Sequence, residues 1–315
     1  MSYRQLVEPH HRQAYSDNVQ MAAQMMTNPL SDTVTVMPVS GEAKSMDDLV
    51  GEVDYLEGED CEQRNPQNPP PLSRRWLVRP TSILSGQLIT KEEVFDQIKD
   101  PKSKLVMAHT KAVMRGHYDR LLGIRKKAGG SYEIAGGGIL GKVYNGKTPE
   151  SQTSLPAGNF IAVDADAPGT PSGLGLIKLR AATEAMELED FGLETDQDVF
   201  GLITPKQKTD LIKLAIETGK NLNPFDVKQI EEGKPGRLLG VNWRFSNRVP
   251  VDADGYRLIP LWTKENIIAG EWQGIEGDVF NNPERKNQPQ VLVDAYVAAG
   301  RYQDGGVRVI RCAEV

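Results

Sequence analysis

Gly136, Gly138 and Gly141, in the stretch AGGGILGKVYNG, match the spacing G-x-G-x-x-G. Such a loop serves a dinucleotide when a strand precedes it and a helix follows, so that helix amides meet the pyrophosphate. Here KVYNGKTP follows, strand-like and then broken by Asn-Gly and Pro. No acidic residue closes a second strand at the expected distance. A flexible glycine loop accounts for the pattern better, and a nucleotide-dependent enzyme using residues 136–141 stands as the alternative of a different class. The four histidines are no better placed. His10 and His11 are adjacent, a poor geometry for chelation, and His109 and His117 have no Cys, Asp or Glu three or four residues on to complete a metal site. VDADG at 251–255 resembles the start of a calcium loop, but Thr263 stands where the closing Glu belongs. There is no G-x-S-x-G, and Cys61 lies among acids that raise its pKa. The expectation is a protein that is not an enzyme, with no catalytic residues, no cofactor and no metal.

A different constellation stands out at PPPLSRRWLVRP, residues 69–80. Prolines stiffen the backbone, and Arg74, Arg75, Trp76, Leu77 and Arg79 follow. Such a cationic, aromatic ribbon suits nucleic acid, a pocket or the surface of another protein. It comes after a strongly acidic stretch over residues 42–62, which includes Glu57, Glu59 and Asp60 and contains the single cation Lys44.

Bulk properties narrow the choice. The chain has 315 residues, 39% hydrophobic and 25% charged, within the globular range and long enough for a real core. A net charge of −6 argues against a dedicated nucleic-acid binder. Cys61 and Cys312 are far apart, which points to a reducing compartment without a disulfide framework. No apolar run reaches the roughly 20 residues of a membrane helix. The polar start, MSYRQLVEPHHRQAY, is not a signal peptide, so a cytosolic protein is expected when it is made.

The elements that must position the ribbon follow from periodicity. QAYSDNVQMAAQMM has helical spacing. DTVTVMPVSG alternates as a strand does, the acidic stretch and a proline corner follow, and WLVRPTSIL alternates again. Residues 31–90 therefore read as a two-stranded excursion with an acidic and a basic limb. About 20 extended residues span roughly 65 Å at ~3.3 Å each, whereas a compact chain of this length has a radius of gyration of about 20 Å. The excursion is poor in large apolar residues and a lone hairpin is marginal in water, so it is expected either to be floppy, as a disordered acidic loop would be, or to lie on something else. KEEVFDQI reads as a short helix ending at Asp100-Pro101, followed by a long helix over 101–127. Val106, Val113, Met114, Tyr118, Leu121 and Leu122 form its apolar stripe, Ala108, Ala112 and Gly116 a smooth second side, and Arg125, Lys126 and Lys127 a dipole-matched end. A second helix is expected over 173–191, with Ser172 as cap, Gly192 as stop, and Leu174, Ile177, Ala181, Ala185 and Leu188 inward. DVFGLI reads as a buried strand, TPKQKTDLIKLAIETG as a third helix with Thr204 capping and Pro205 first, and NFIAVDAD, GRLLGVNWRFSNRVP and YRLIPLWTKENIIAGEW as strands. The end reads as two strands joined at QDGG. The class is α+β.

The order of these pieces carries a resemblance. PVSGEA and its acidic sequel, LSRRWLVRP, the helix–Asp-Pro–long helix unit, LPAGNFIAVD, GLGLIKLRAATEAMELEDF and a closing GGVRVIRCAE resemble, nearly end to end, the major capsid proteins of tailed bacteriophages with the Hong Kong 97-like fold. The resemblance implies an N-terminal arm over 1–30, an extended β-hairpin loop over 31–90, a peripheral domain over 91–189 with its spine helix at 101–127, an axial domain over 190–265 and a return to the peripheral domain over 266–315. It implies a structural subunit that assembles into pentamers and hexamers of an icosahedral shell around double-stranded DNA. The subunit would sit in the virion shell after a stage in the host cytoplasm. Implied partners are the chain itself, a portal, separate scaffolding or decoration proteins, and packaged DNA in loose, non-specific contact; no membrane is implied. An encapsulin-like compartment shell shares the fold and is the nearer alternative. In the capsid reading Arg74, Arg75, Trp76, Leu77 and Arg79 contact a neighbouring subunit, with Glu57, Glu59 and Asp60 of the acidic limb as candidate partners.

Overall fold

The computed structural model describes residues 27–46, 48–51, 53, 69–88, 102–192, 197–217, 237–238 and 240–314. The helices expected within 13–26 and at 91–98, most of the acidic limb and Cys61 lie outside these residues. The chain divides into two units: residues 1–28, 80–118 and 272–297, and residues 29–79, 119–271 and 298–315. Helix and sheet are mixed, as the periodicities require.

In the first unit, helix α1 (Lys102–Leu122) covers the strands Ile83–Leu88 and Gln288–Arg301, which pair antiparallel through Gln290–Ala295. Val113 of α1 packs with Val291, Val293 and Ala295, with Ile83 and Val106 against them. These are alternate residues of a strand meeting the apolar stripe of a helix. The smooth side has a use: a Cβ on Gly116 would lie 2.6 Å from Ile83 Cγ2, so only glycine lets that strand approach.

The second unit is built on a six-stranded sheet in the order Phe160–Ile161, Val307–Cys312, Arg257–Thr263, Val199–Ile203, Val241–Phe245, Arg237–Leu238. VFGLI is buried throughout, which its unbroken apolar run requires. Helix α2 (Leu176–Glu187) packs on the Val307–Cys312 strand, and α3 (Pro205–Glu217) starts on Pro205, with the Thr204 hydroxyl paired to the Gln207 side chain.

Three expectations are corrected. The long helix stops at Leu122, and Ile124–Lys126 instead pairs as a strand with Tyr132–Ile134. Gly123 (φ +79°) breaks the helix, and a Cβ there would lie 2.0 Å from the Gly137 carbonyl oxygen. Arg125 and Lys126 are therefore exposed on a hairpin rather than at a helix end, and Lys127 pairs with Glu133 at 3.1 Å. Second, α2 is rotated: Lys178, Leu179, Ala182 and Met186 are buried, while Ile177 is 56% and Leu188 80% exposed. The buried Lys178 ammonium sets this rotation by donating to the carbonyls of Ser172, Gly173 and Arg311 at 2.8, 2.9 and 3.2 Å. Gly175, not Ser172, is the N-cap, and Asp166 accepts from both the Ser172 hydroxyl and the Lys178 amide. Third, the strands either side of QDGG belong to different sheets.

Gly123→Ala is expected to cost more than the roughly 1–2 kcal/mol of a left-handed conformation, because the added methyl also meets backbone. Denaturant unfolding of the isolated subunit measures this.

Candidate assembly interface

The ribbon is rooted in its own chain. Arg75–Val78 is flanked by Ala43–Ser45 on one side and Val143–Asn145 on the other, with Ser151–Thr153 beyond. Farther out, Leu49–Val50 pairs with Leu72–Ser73, so the two limbs do form an antiparallel hairpin. The expectation that residues 31–90 as a whole rest elsewhere is thereby narrowed. Thr35–Pro38 pairs in parallel with Ile268–Glu271, Met46 and Leu77 are buried, and the Trp262 indole donates to the Thr33 carbonyl at 3.0 Å.

The structure separates the five ribbon residues into two groups. Arg75 turns inward and forks onto Asp304, its Nη2 2.9 Å from Oδ2, while Nη1 donates to the Arg301 carbonyl at 2.9 Å. Leu77 is 2% exposed and sits beside Gly300, where a Cβ would lie 3.1 Å from its Cδ2. Arg74 turns outward onto Asp48 in a two-pronged contact of 2.5 and 2.6 Å, with its guanidinium 5.8 Å from the Trp76 ring. The hydrogen bonds from Arg74 hold the Asp48 carboxyl below its usual range. The Trp76 indole donates to the Gly146 carbonyl at 2.9 Å. Arg79 is exposed, its amide bonded to the Glu42 carbonyl. An open cleft beside the ribbon is lined by Leu72, Ser73, Arg74, Gly146 and Lys147. Glu57, Glu59 and Asp60 lie outside the described residues.

Sequence reasoning missed the anchor itself. Arg301 is fully buried, and its Nε lies 2.5 Å from Asp304 Oδ1 while Nη1 donates to the Gly141 carbonyl. Burial pushes the Asp304 carboxyl up, but hydrogen bonds from Arg301 and Arg75 outweigh it and hold the group below its usual range. Burial pulls the Arg301 guanidinium down. One available signal was an Arg ending the apolar run YVAAG with an Asp three residues later.

The glycine stretch has a structural task. The amides of Ile139 and Leu140 donate to the carbonyls of Leu121 and Leu122, capping the end of α1. A Cβ on Gly141 would lie 2.0 Å from the Gly137 carbonyl oxygen. These amides are committed to protein rather than phosphate. His109 and His117 meet Ser85 and Asn28, and VDADG is a turn closed by Asp252 and Tyr256. Burial pushes the Cys312 thiol up to about 12, so it is inert as a nucleophile at neutral pH. Among the described residues no cluster of His, Cys, Asp or Glu could hold a metal ion, and no helix is long and apolar enough to cross a membrane.

The described residues thus give a mixed α and β chain whose ribbon is rooted in its own fold. Solved structures share this fold. The capsid of cyanophage P-SCSP1u shares 13% identity over 96% of this chain and 93% of its own, with a TM-score of 0.67. The capsid of a native GTA particle shares 12% over 98% and 96%, also at 0.67. The capsid of Ralstonia phage GP4 shares 12% over 96% and 95%, at 0.62. At such identities these show the fold. A search of curated proteins returned no match. The family model described as phage capsid protein matches residues 7–314, and the chain belongs to that family. It is a capsid shell protein, as the sequence resemblance implied.

Asp304→Asn leaves the Arg301 charge buried without its counter-charge and is expected to cost about 3–5 kcal/mol in subunit stability at neutral pH. Because the folded pKa of Asp304 is depressed, its contribution is complete above the unfolded value of about 3.9. It is lost as pH falls through the lower folded value. The gap between wild type and variant should therefore close on acidification, measured by unfolding at pH 7 and at successively lower pH.

Proposed function

We propose that this subunit takes the Hong Kong 97-like form of the capsid fold and closes, as pentamers and hexamers, into an icosahedral shell around double-stranded DNA. In this reading the unit holding α1 and residues 272–297 belongs to the peripheral domain with α1 as its spine, and residues 190–265 form the axial domain. A portal and separate scaffolding or decoration proteins complete the particle. Contact with DNA is loose and non-specific, in keeping with a net charge of −6.

The observation that carries the reading is the hairpin rooted at Asp48 and Arg74. Val50 and Leu72 on its strands are 63% and 70% exposed, and Val53 just beyond is 47% exposed, apolar surface available to a neighbour. Arg74, Trp76 and Arg79 are the ribbon residues with surface left for a neighbour, whereas Arg75 and Leu77 hold the ribbon to its own chain. Each exposed ion pair is worth about 0–1 kcal/mol, so apolar burial across an interface of roughly 800 Å² per partner contributes more. Rings closed by head-to-tail contacts repeat that interface around each axis.

Expressed with its scaffolding needs met, the chain should yield closed shells by negative-stain electron microscopy. Deleting residues 54–68 should leave a folded, soluble subunit that no longer closes shells. Normal shells from the deletion would remove the role assigned to the hairpin, and a wild-type chain that stays monomeric would remove the shell reading.

A further inference from the structure

Among the described residues, the strand Ile267–Asn282 has an open edge along its far half. Thr35–Pro38 pairs with it only at Ile268–Glu271. Beyond that, among the described residues, its only strand neighbour is Gln288–Arg301, on the other side. Residues 274–281 are all exposed. The Val39 amide donates to the Glu271 carbonyl at 2.9 Å, so Glu271 turns its polar backbone groups away from Gln288–Arg301. Counting in twos along the strand, residues 273, 275, 277, 279 and 281 do the same. Val279 agrees, since its amide donates to its neighbour's carboxylate, Asp278 Oδ1, at 2.7 Å. A row of unpaired backbone groups is a template for another strand.

The two faces of this edge differ. A Cβ on Gly277 would lie 3.4 Å from Val293 and 3.7 Å from Val106. Ile275, Gly277 and Val279 therefore continue the apolar face that α1 covers, yet Ile275 is 37% and Val279 39% exposed. That face runs out at the edge, unfinished. Glu276, Asp278 and Phe280 occupy the opposite face. The same strand of another copy is a poor occupant: antiparallel pairing centred on Gly277 sets Glu276 against Asp278 twice, and like charges directly opposite are destabilising. The edge calls for a strand with apolar residues at i and i+4 on one face and a cation between them on the other.

YRQLV, residues 3–7, has that pattern. With Tyr3 opposite Val279, Gln5 opposite Gly277 and Val7 opposite Ile275, an antiparallel register brings Arg4 opposite Asp278 and Leu6 opposite Glu276. The aromatic–β-branched and Arg–Asp pairs are of the favourable cross-strand kind. Residues 8–26 supply a tether that can reach at most roughly 60 Å at about 3.3 Å per residue. We propose that residues 3–7 of a second copy of this chain add as an antiparallel strand to the edge at Ile275–Val279. This rests on the shell reading, because a shell holds copies side by side. In the free subunit Asp278 covers the Val279 amide. On docking, that amide passes to the incoming strand and the carboxylate to Arg4.

The test uses two full-length chains in a Cys61→Ser background, one carrying Leu6→Cys and the other Glu276→Cys. This is a pair without mutual backbone hydrogen bonds and with closely spaced Cα atoms, within disulfide reach. Shells assembled from the mixture and oxidised should give a dimer-mass band on a non-reducing gel. Asp278→Arg should lower the yield of shells, and adding Arg4→Asp should restore it. Shells without the band overturn the proposal, as does a crosslink that forms only within a chain carrying both cysteines. Failure of the unsubstituted chain to form shells would instead count against the shell reading.

Discussion

A buried cation organises the part of the molecule that carries the ribbon. Arg301 has no exposed surface, and Asp304 is the carboxylate that answers it. Arg75 completes the group from the ribbon. Removing a guanidinium from water costs several kcal/mol, and that cost is offset only when its donors find acceptors in good geometry. The arrangement thus fixes several chain segments at once: the end of the Gln288–Arg301 strand, the turn that follows it, the carbonyls of Ile139 and Gly141, and the strand that carries the ribbon.

The rooting shows how a projecting element can be both anchored and free to engage. Alternate ribbon residues face opposite sides of a strand. Arg75 and Leu77 face the chain's own interior, and Arg74 and Trp76 face outward beside Gly146. Substituting the first pair would damage the fold before it tested any interface. The second pair can be changed while the root remains.

Glycine here serves packing. Three glycines of the 136–141 stretch match a phosphate-binding pattern because both structures need backbone to come close to something. In a dinucleotide site the close neighbour is pyrophosphate; in this chain it is the end of α1, whose carbonyls take the amides of Ile139 and Leu140. Spacing alone does not distinguish the two, since it records only where a Cβ is forbidden.

Much of the fold was legible from local pattern. The apolar stripe of α1, the unbroken run VFGLI, Pro205 opening α3 and the alternation in DTVTVMP each state a local preference that the structure keeps. So did the order of segments that carries the family. What local pattern leaves open is a partner distant in the chain. The rotation of α2 depends on the carbonyls of Ser172, Gly173 and Arg311 that receive Lys178. The end of α1 depends on Gly137 arriving beside Gly123, and the inward turn of Arg75 on Asp304. Periodicity fixes which side of an element is apolar. Only the assembled chain decides where a buried charge finds its acceptors, because those acceptors come from segments that sequence spacing does not bring together.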